Sequence, residues 1–195
     1  MQTLLQKDES LLLGLDIQER LIPAMFYKEK VLKNAQILLT GARKLGIKTL
    51  ISEQYPKGLG KTDEALKFKT IADFNALDHN DESPQVRLFE KISFSVMNDE
   101  AIVKCIKSTN CKSLVFFGIE THICVLQSVI MALKMGFEVW LIEDALSSRS
   151  KENHKNALRF MQTCGAKIIN TESFLFGLMS DAKNEHFKAI STLIK

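Results

Sequence analysis

Short apolar runs alternate with longer amphipathic stretches along the whole chain. Leu11-Leu12-Leu13-Gly14-Leu15 is continuously apolar and closes on Asp16, the pattern of a strand buried on both faces. Residues 28–44 then place Val31, Ala35, Leu38, Leu39 and Ala42 at helical spacing, and Gly46 marks the stop. Further strand-like runs lie at 48–52, 86–90, 113–118, 138–142 and 166–170. Helical patterns occupy 98–108, 121–135, 151–163 and 181–193, with a shorter helix capped by Thr171 and ending near Gly177. The stretch 121–135 is apolar on most sides, which predicts a central helix.

Six strands separated by helices predict an α/β protein of three layers, α/β/α, around a six-stranded parallel, doubly wound, Rossmann-like sheet. Parallel strands need crossovers, and the crossover helices then cover both faces. One long gap, residues 53–85, carries Pro56, Gly58, Gly60 and Pro84 together with a polar run at 78–83. A gap of that length in a compact domain points to a functional loop. There is no internal repeat, and 195 residues suit a single domain over 1–195 with a full core of its own.

Charge narrows the partners. The 26 basic and 23 acidic residues leave a formal charge of +3, and the lysines are scattered along helical faces. Neither nucleic acid nor a membrane surface is therefore expected, since both call for clustered basic residues. No apolar run reaches the length of a membrane span. The first residues carry Asp8 and Glu9 ahead of the apolar run, unlike a secretory signal, so a reduced, cytoplasmic chain is expected. Cys105, Cys111, Cys124 and Cys164 show no zinc-like pairing with the four histidines.

Ligands of open α/β sheets bind beyond the carboxyl ends of the strands, so the residues that leave each strand are the ones to read. Asp16 leaves the first strand, Glu53-Gln54-Tyr55 the second and Lys91 the third; Gly118 to Cys124 follow the fourth. Cys124 falls in the first turn of the apolar helix, where free amides and the helix dipole favour a thiolate. Asp16 either pairs with a basic neighbour or takes the proton of the thiol. Lys91 near both would stabilise two anions. The other three cysteines read as buried structural residues. A glycine-rich phosphate loop is absent after the first strand, where the sequence is Asp16-Ile17-Gln18-Glu19-Arg20, which excludes a dinucleotide fingerprint.

Four separated motifs add a resemblance. They are Leu13-Gly14-Leu15-Asp16-Ile17-Gln18, Glu90-Lys91-Ile92-Ser93-Phe94-Ser95, Gly118-Ile119-Glu120-Thr121-His122-Ile123-Cys124-Val125, and Glu143-Asp144-Ala145 with Ser148-Arg149-Ser150 beyond. In this order, at corresponding strand ends, they resemble the isochorismatase-like family of cysteine hydrolases, which includes nicotinamidases and N-carbamoylsarcosine amidase. The resemblance implies a triad at Asp16, Lys91 and Cys124. It also implies a cis peptide bond at Ile119–Glu120 that aims the amides of Glu120 and Cys124 into an oxyanion hole.

Departures from the family pattern narrow the chemistry. The region after the second strand, Ser52 to Gly60, lacks the histidines of the nicotinamidase metal site, so no metal and no other cofactor is expected. A cysteine at position 124 argues for acyl chemistry over the vinyl-ether hydrolysis of true isochorismatases. The stretch Glu53 to Gly60 resembles the isochorismatase domain-containing subgroup and, with Thr121, places Gln54 and Tyr55 in the expected pocket for a small amide, ureide or related carbonyl compound. His122 lies two residues from Cys124, on a different helical face, and reads as pocket wall or interface rather than base. The resemblance further implies a homo-oligomer, with Phe174 to Met179 either a contact surface or packing on its own sheet. The alternatives are a catalytically silent oligomeric binding protein of the same fold and an isochorismatase-type vinyl-ether hydrolase.

Overall fold

The computed structural model describes residues 4–195. Among them, one parallel sheet is built from β1 (Ser10–Leu15), β2 (Lys48–Gln54), β3 (Lys69–Thr70), β4 (Gln85–Lys91), β5 (Ser113–Ile119), β6 (Glu138–Ser147) and β7 (Lys167–Ile169). The helices are α1 (Lys28–Leu45), α2 (Pro56–Leu59), α3 (Glu100–Ser108), α4 (Leu126–Lys134), α5 (Lys151–Thr163), α6 (Thr171–Gly177) and α7 (Phe187–Ile194). The α/β class is as anticipated, but the sheet has seven strands, not six. The extra one, β3, is a pair of exposed residues beside Gln85 and Val86 at the sheet edge. Two exposed residues carry no alternation for a pattern to register.

Two helices also differ from expectation. Thr121–Val125 is a π-helical turn, and regular α4 begins only at Leu126. The final helix starts at Phe187 rather than 181 because Asp181 and Asn184 turn the chain first, accepting bonds from Lys183 N (2.8 Å) and His186 N (3.0 Å). Such local side-chain bonds compete with helix formation. Asp99 caps α3 by accepting from Ile102 N and Ser150 caps α5 by accepting from Asn153 N, but the cap of α6 is Asn170, accepting from Ser173 N, and not Thr171, which is the first helical residue.

Alternation along the strands divides the core between the two faces. Leu12, Ile51, Val115 and Phe117 pack with residues of α1, α6 and α7. Leu11, Leu13, Leu15, Leu50 and Phe116 pack with residues of α3, α4 and α5. The four leucines of β1 have no exposed surface, and burying each contributes about 1.5–3 kcal/mol. Phe174, Leu175, Leu178 and Met179 lie in the first of these clusters, so that stretch is turned toward its own core. Both edge strands, β3 and β7, are short, which limits unpaired backbone at the sheet edges.

Strand order is β3-β4-β2-β1-β5-β6-β7. The chain builds one half of the sheet beside β2, returns to β5, and builds the other half. The reversal between β1 and β5 opens a crevice beyond their C-terminal ends, the usual ligand position in such sheets. Gly118 permits the close approach there: its φ is +112°, and a Cβ would lie 2.1 Å from the Leu15 carbonyl oxygen. Gly118→Ala is therefore expected to cost more than about 3 kcal/mol. Thermal unfolding checks this, and an alanine variant melting within a few degrees of wild type would contradict it.

Candidate active site

Asp16 leaves β1 with φ +55°, a left-handed conformation that aspartate tolerates better than most residues. Its amide donates to Ser52 O (3.0 Å) and its carbonyl accepts from Gln18 N (2.8 Å), fixing the turn. The side chain is wholly buried. Ser52 Oγ donates to Oδ1 at 2.6 Å and Lys91 Nζ to Oδ2 at 2.8 Å, and the Cys124 thiol is close enough to feel the same carboxylate. The structure thus brings the residues of the implied triad into one cluster.

Lys91 ends β4, and no part of its side chain reaches solvent. Besides Asp16, its ammonium meets Gln54 Oε1 at 2.6 Å and the carbonyls of Phe94 and Ser93 at 3.1 and 3.3 Å. Gln54 is therefore engaged at both ends, since its Nε2 donates to Ile92 O (2.7 Å). It supports the lysine rather than presenting a free amide to a ligand.

Cys124 lies in the π-helical turn and is 7% exposed. Burial first, and the neighbouring Asp16 second, push its thiol up to about 12, with Lys91 working against them. This corrects the expectation of a thiolate. The turn is not a regular α-helical start, and Ile123 N and Val125 N both close onto the Glu120 carbonyl (3.0 and 3.2 Å). Burial and an adjacent carboxylate outweigh the helix end. Asp16 is likewise raised by burial, opposed by Lys91 and then Ser52. A protonated thiol thus faces a carboxylate made more basic than usual.

The Ile119–Glu120 peptide bond is cis. Glu120 Oε2 accepts from Arg149 N (3.0 Å) and Nε (3.1 Å), tying this segment to the residues beyond β6. Ser128 Oγ donates to Cys124 O (2.6 Å) and accepts from Val96 N (3.0 Å). Thr121 is buried, and its hydroxyl meets His154 Nδ1 at 2.9 Å, so it braces the turn from behind instead of offering its hydroxyl to a ligand. His122 places Nδ1 2.9 Å from Ser148 Oγ and Nε2 3.4 Å from Asn153 Nδ2. Both ring nitrogens face partners other than Cys124.

Three contributors escaped the sequence reading. Ser52 and His154 carry no motif at all. Gln18 is wholly buried, and its amide is fully used: Nε2 donates to Gln54 O (3.0 Å) and Gly60 O (2.6 Å), and Oε1 accepts from Gln54 N (2.7 Å). Its place at the end of the motif Leu13 to Gln18 was its signal, without indicating which groups it holds. Of the other cysteines, Cys111 is buried, Cys105 half-buried and Cys164 exposed, so the structural reading fails to bury Cys164.

A cavity of about 540 Å³ lies beside the cluster, with Tyr55, Glu90, Lys91, Ile92 and Ser93 among its walls. Tyr55, Ile92 and Phe94 are the exposed apolar side chains nearby, and Tyr55 holds φ +37° with its amide on Lys91 O (2.9 Å). Among the described residues there is no group of three His, Cys, Asp or Glu side chains arranged for a metal, and no helix long and apolar enough to cross a membrane.

A doubly wound parallel sheet that gathers acid, cation and thiol at the ends of β1, β4 and β5 defines an α/β protein of the isochorismatase-type hydrolase fold. The chain belongs to the isochorismatase family, its residues 10–173 matching the family model for the isochorismatase domain. Isochorismatase domain-containing protein 1 of Salmo salar is 37% identical over 180 residues, covering 92% of this chain and 59% of that protein. The chain thus spans less than two thirds of that relative's length. The MAR1 ribonuclease structure from Caenorhabditis elegans is similar at TM-score 0.83 and 30% identity, covering 97% of this chain and 91% of that one. The YcaC gene product of Escherichia coli, an octameric hydrolase of unknown specificity, shares the fold at TM-score 0.84 and 21% identity, with 97% and 88% covered.

Lys91→Met would leave Asp16 buried without its counter-charge, at an expected cost of about 3–5 kcal/mol, and Asp16→Asn/Lys91→Met should recover most of it. Urea unfolding of the single and double variants checks this; equal losses would show that the pair is not the source. A second expectation concerns His154, whose pKa burial lowers from 6.5 to about 4, with repulsion from Lys30 and Lys155 adding to it. The unfolded chain protonates first, so this contribution is complete above about pH 6.5 and is lost as pH falls toward 4. Melting temperature against pH for wild type and His154→Gln reads it. Identical acid slopes in the two proteins would reject it.

Proposed function

We propose that this chain is a cofactor-independent cysteine hydrolase of a small amide, ureide or related carbonyl compound. The observation that carries the reading is the buried Asp16 carboxylate, bonded to Lys91 (2.8 Å) and Ser52 (2.6 Å) with Cys124 as its electrostatic neighbour. A thiol with a pKa of about 12 is ionised to roughly one part in 10⁵ at pH 7. Attack by a preformed thiolate is then rare, so proton transfer to Asp16 accompanies attack of sulfur on the carbonyl carbon. Lys91 lies beside both groups and limits the cost of the anion that develops.

The oxyanion rests on the backbone amides of Glu120 and Cys124, donors of a kind individually worth about 3 kcal/mol in a transition state. Asp16 returns its proton to the leaving amine as the carbon–nitrogen bond breaks and a thioester forms on Cys124. Water then enters, gives its proton to Asp16 and displaces the thiol, which recovers that proton. With Cys124 only 7% exposed, the substrate must be small or present a narrow end. Tyr55 stands at the neighbouring cavity as its aromatic wall. Homo-oligomeric assembly belongs to the same proposal, supported by the octamer of the E. coli relative; exposed Ile92 and Phe94 beside the cavity are surfaces a second subunit would cover.

Small amides, ureides, isochorismate and a short RNA, assayed with wild type and Cys124→Ala, test the reading. Turnover of a carbonyl substrate is expected, falling at least about 10³-fold in the variant; activity that survives the substitution would sink the mechanism. Alkylation of Cys124 against pH tests the role of Asp16. Wild type should titrate far above free cysteine, whereas Asp16→Asn removes a charge that raises the thiol and keeps Lys91, so its profile should move to lower pH. Turnover should nonetheless fall about 10²–10⁴-fold in that variant. An unchanged alkylation profile would remove Asp16 as partner of the thiol.

A further inference from the structure

A second cavity, of about 380 Å³, opens on the α3 side of the sheet, well away from the cluster at the strand ends. Lys48, the first residue of β2, lines it, whereas Gln54 at the catalytic cluster is the last. Six residues of extended strand, about 20 Å, separate the two positions. Its walls follow from secondary-structure periodicity. Ala101, Lys104, Cys105 and Ser108 are spaced i, i+3, i+4, i+7 and form one face of α3, while Arg87 and Phe89 alternate onto the same face of β4. Phe74, in a 3₁₀ turn within the long segment between β2 and β4, closes the remaining side. The volume lies within the roughly 300–1,000 Å³ usual for small-molecule sites.

The charge on these walls is unbalanced. Three cations, Lys48, Arg87 and Lys104, line the cavity against one acid, Asp73. Among the described residues none of the three forms an ion pair with a carboxylate. Asp73 is already in use, its Oδ1 accepting from Asn75 N (2.7 Å) and Ala76 N (3.2 Å). Arg87 Nε is buried with no hydrogen-bond partner. Buried polar groups nearly always have partners, and an unmet donor on a charged group is a costly exception. The guanidinium lies over the Phe89 ring (4.8 Å) and the Lys48 ammonium over Phe74 (5.8 Å), so the cations are held in place by rings that also present apolar surface to the cavity.

We infer that this cavity is a second binding site, for a small organic anion whose carboxylate or phosphate meets Arg87, Lys48 and Lys104 and whose compact apolar body lies against Phe74, Phe89 and Ala101. An anion against the Arg87 guanidinium and the ammonium groups of Lys48 and Lys104 balances the excess charge. A flat ring or short hydrocarbon matches the aromatic walls. The site takes no part in the proposed reaction and does not depend on it.

Cys105 in the wall gives a local readout. Phenyl phosphate, benzoate and the uncharged benzyl alcohol are titrated into the full chain, with binding heats measured and iodoacetamide labelling mapped by mass spectrometry at Cys105, Cys124 and Cys164. Phenyl phosphate or benzoate should bind saturably and slow labelling at Cys105 alone, the stronger of the two identifying the preferred head group; benzyl alcohol should do neither. Arg87→Gln should weaken anion binding about tenfold or more, the usual scale for a lost charge-assisted hydrogen bond. Because Arg87 is partly buried, Lys104→Gln on the exposed side of α3 is the companion variant, with an expected several-fold loss and an unchanged melting temperature. Protection confined to Cys124, no protection at millimolar probe, equal binding by benzyl alcohol, or affinities unmoved in both variants would each overturn the site.

Discussion

The ion pair between Asp16 and Lys91 sets the terms for everything around it. Two charges withdrawn from water carry a desolvation penalty of several kcal/mol each, and their mutual attraction offsets it only if the remaining donors and acceptors are met. The surroundings meet them: Ser52 serves the carboxylate, and Gln54 with two main-chain carbonyls serves the ammonium. Each partner has its own support, most visibly Gln18, which holds Gln54 by its backbone. Residues from β1, β2, β4 and the turns after them are therefore fixed by one electrostatic requirement. Cys124 enters this arrangement as a neutral group beside a charged pair, and that asymmetry underlies the proton-coupled attack proposed for it.

Much of this could be read from the chain before any coordinates. Apolar runs locate the central strands β1 and β5 most clearly, because residues buried on both faces of a parallel sheet leave uninterrupted hydrophobic stretches, whereas β4 and β7 toward the edges are partly exposed and show weaker runs. Asp16, Lys91 and Cys124 could be picked out because each leaves such a run. The order of the strands was not legible, since local periodicity carries no information about which strand pairs with which. Asp16 and Cys124 consequently could not be recognised as flanking the reversal between β1 and β5.

Other features were hidden for different reasons. The protonation state of Cys124 depends on burial and on a carboxylate 108 positions earlier in the chain, neither of which is local. The π-helical turn at Thr121–Val125 is invisible to a pattern that registers only which side chains are apolar. Gln18, Ser52 and Thr121 act through side-chain hydrogen bonds to groups distant in the chain, and a polar residue in a strand or turn looks the same whether or not its partner exists. What could be read was the part of the structure governed by hydrophobic burial. What could not was the part governed by tertiary polar contacts.

The grip of Gln18 has an evolutionary consequence. Its amide holds the carbonyl and N–H of Gln54 and the carbonyl of Gly60, all main-chain atoms. The anchor is thus indifferent to the side chains of the residues between, including Tyr55 at the cavity wall. That segment can change its sequence while its ends remain attached to β1 and to the charged pair beneath. Sequence change can therefore remodel the cavity wall and leave the buried ion pair below it untouched.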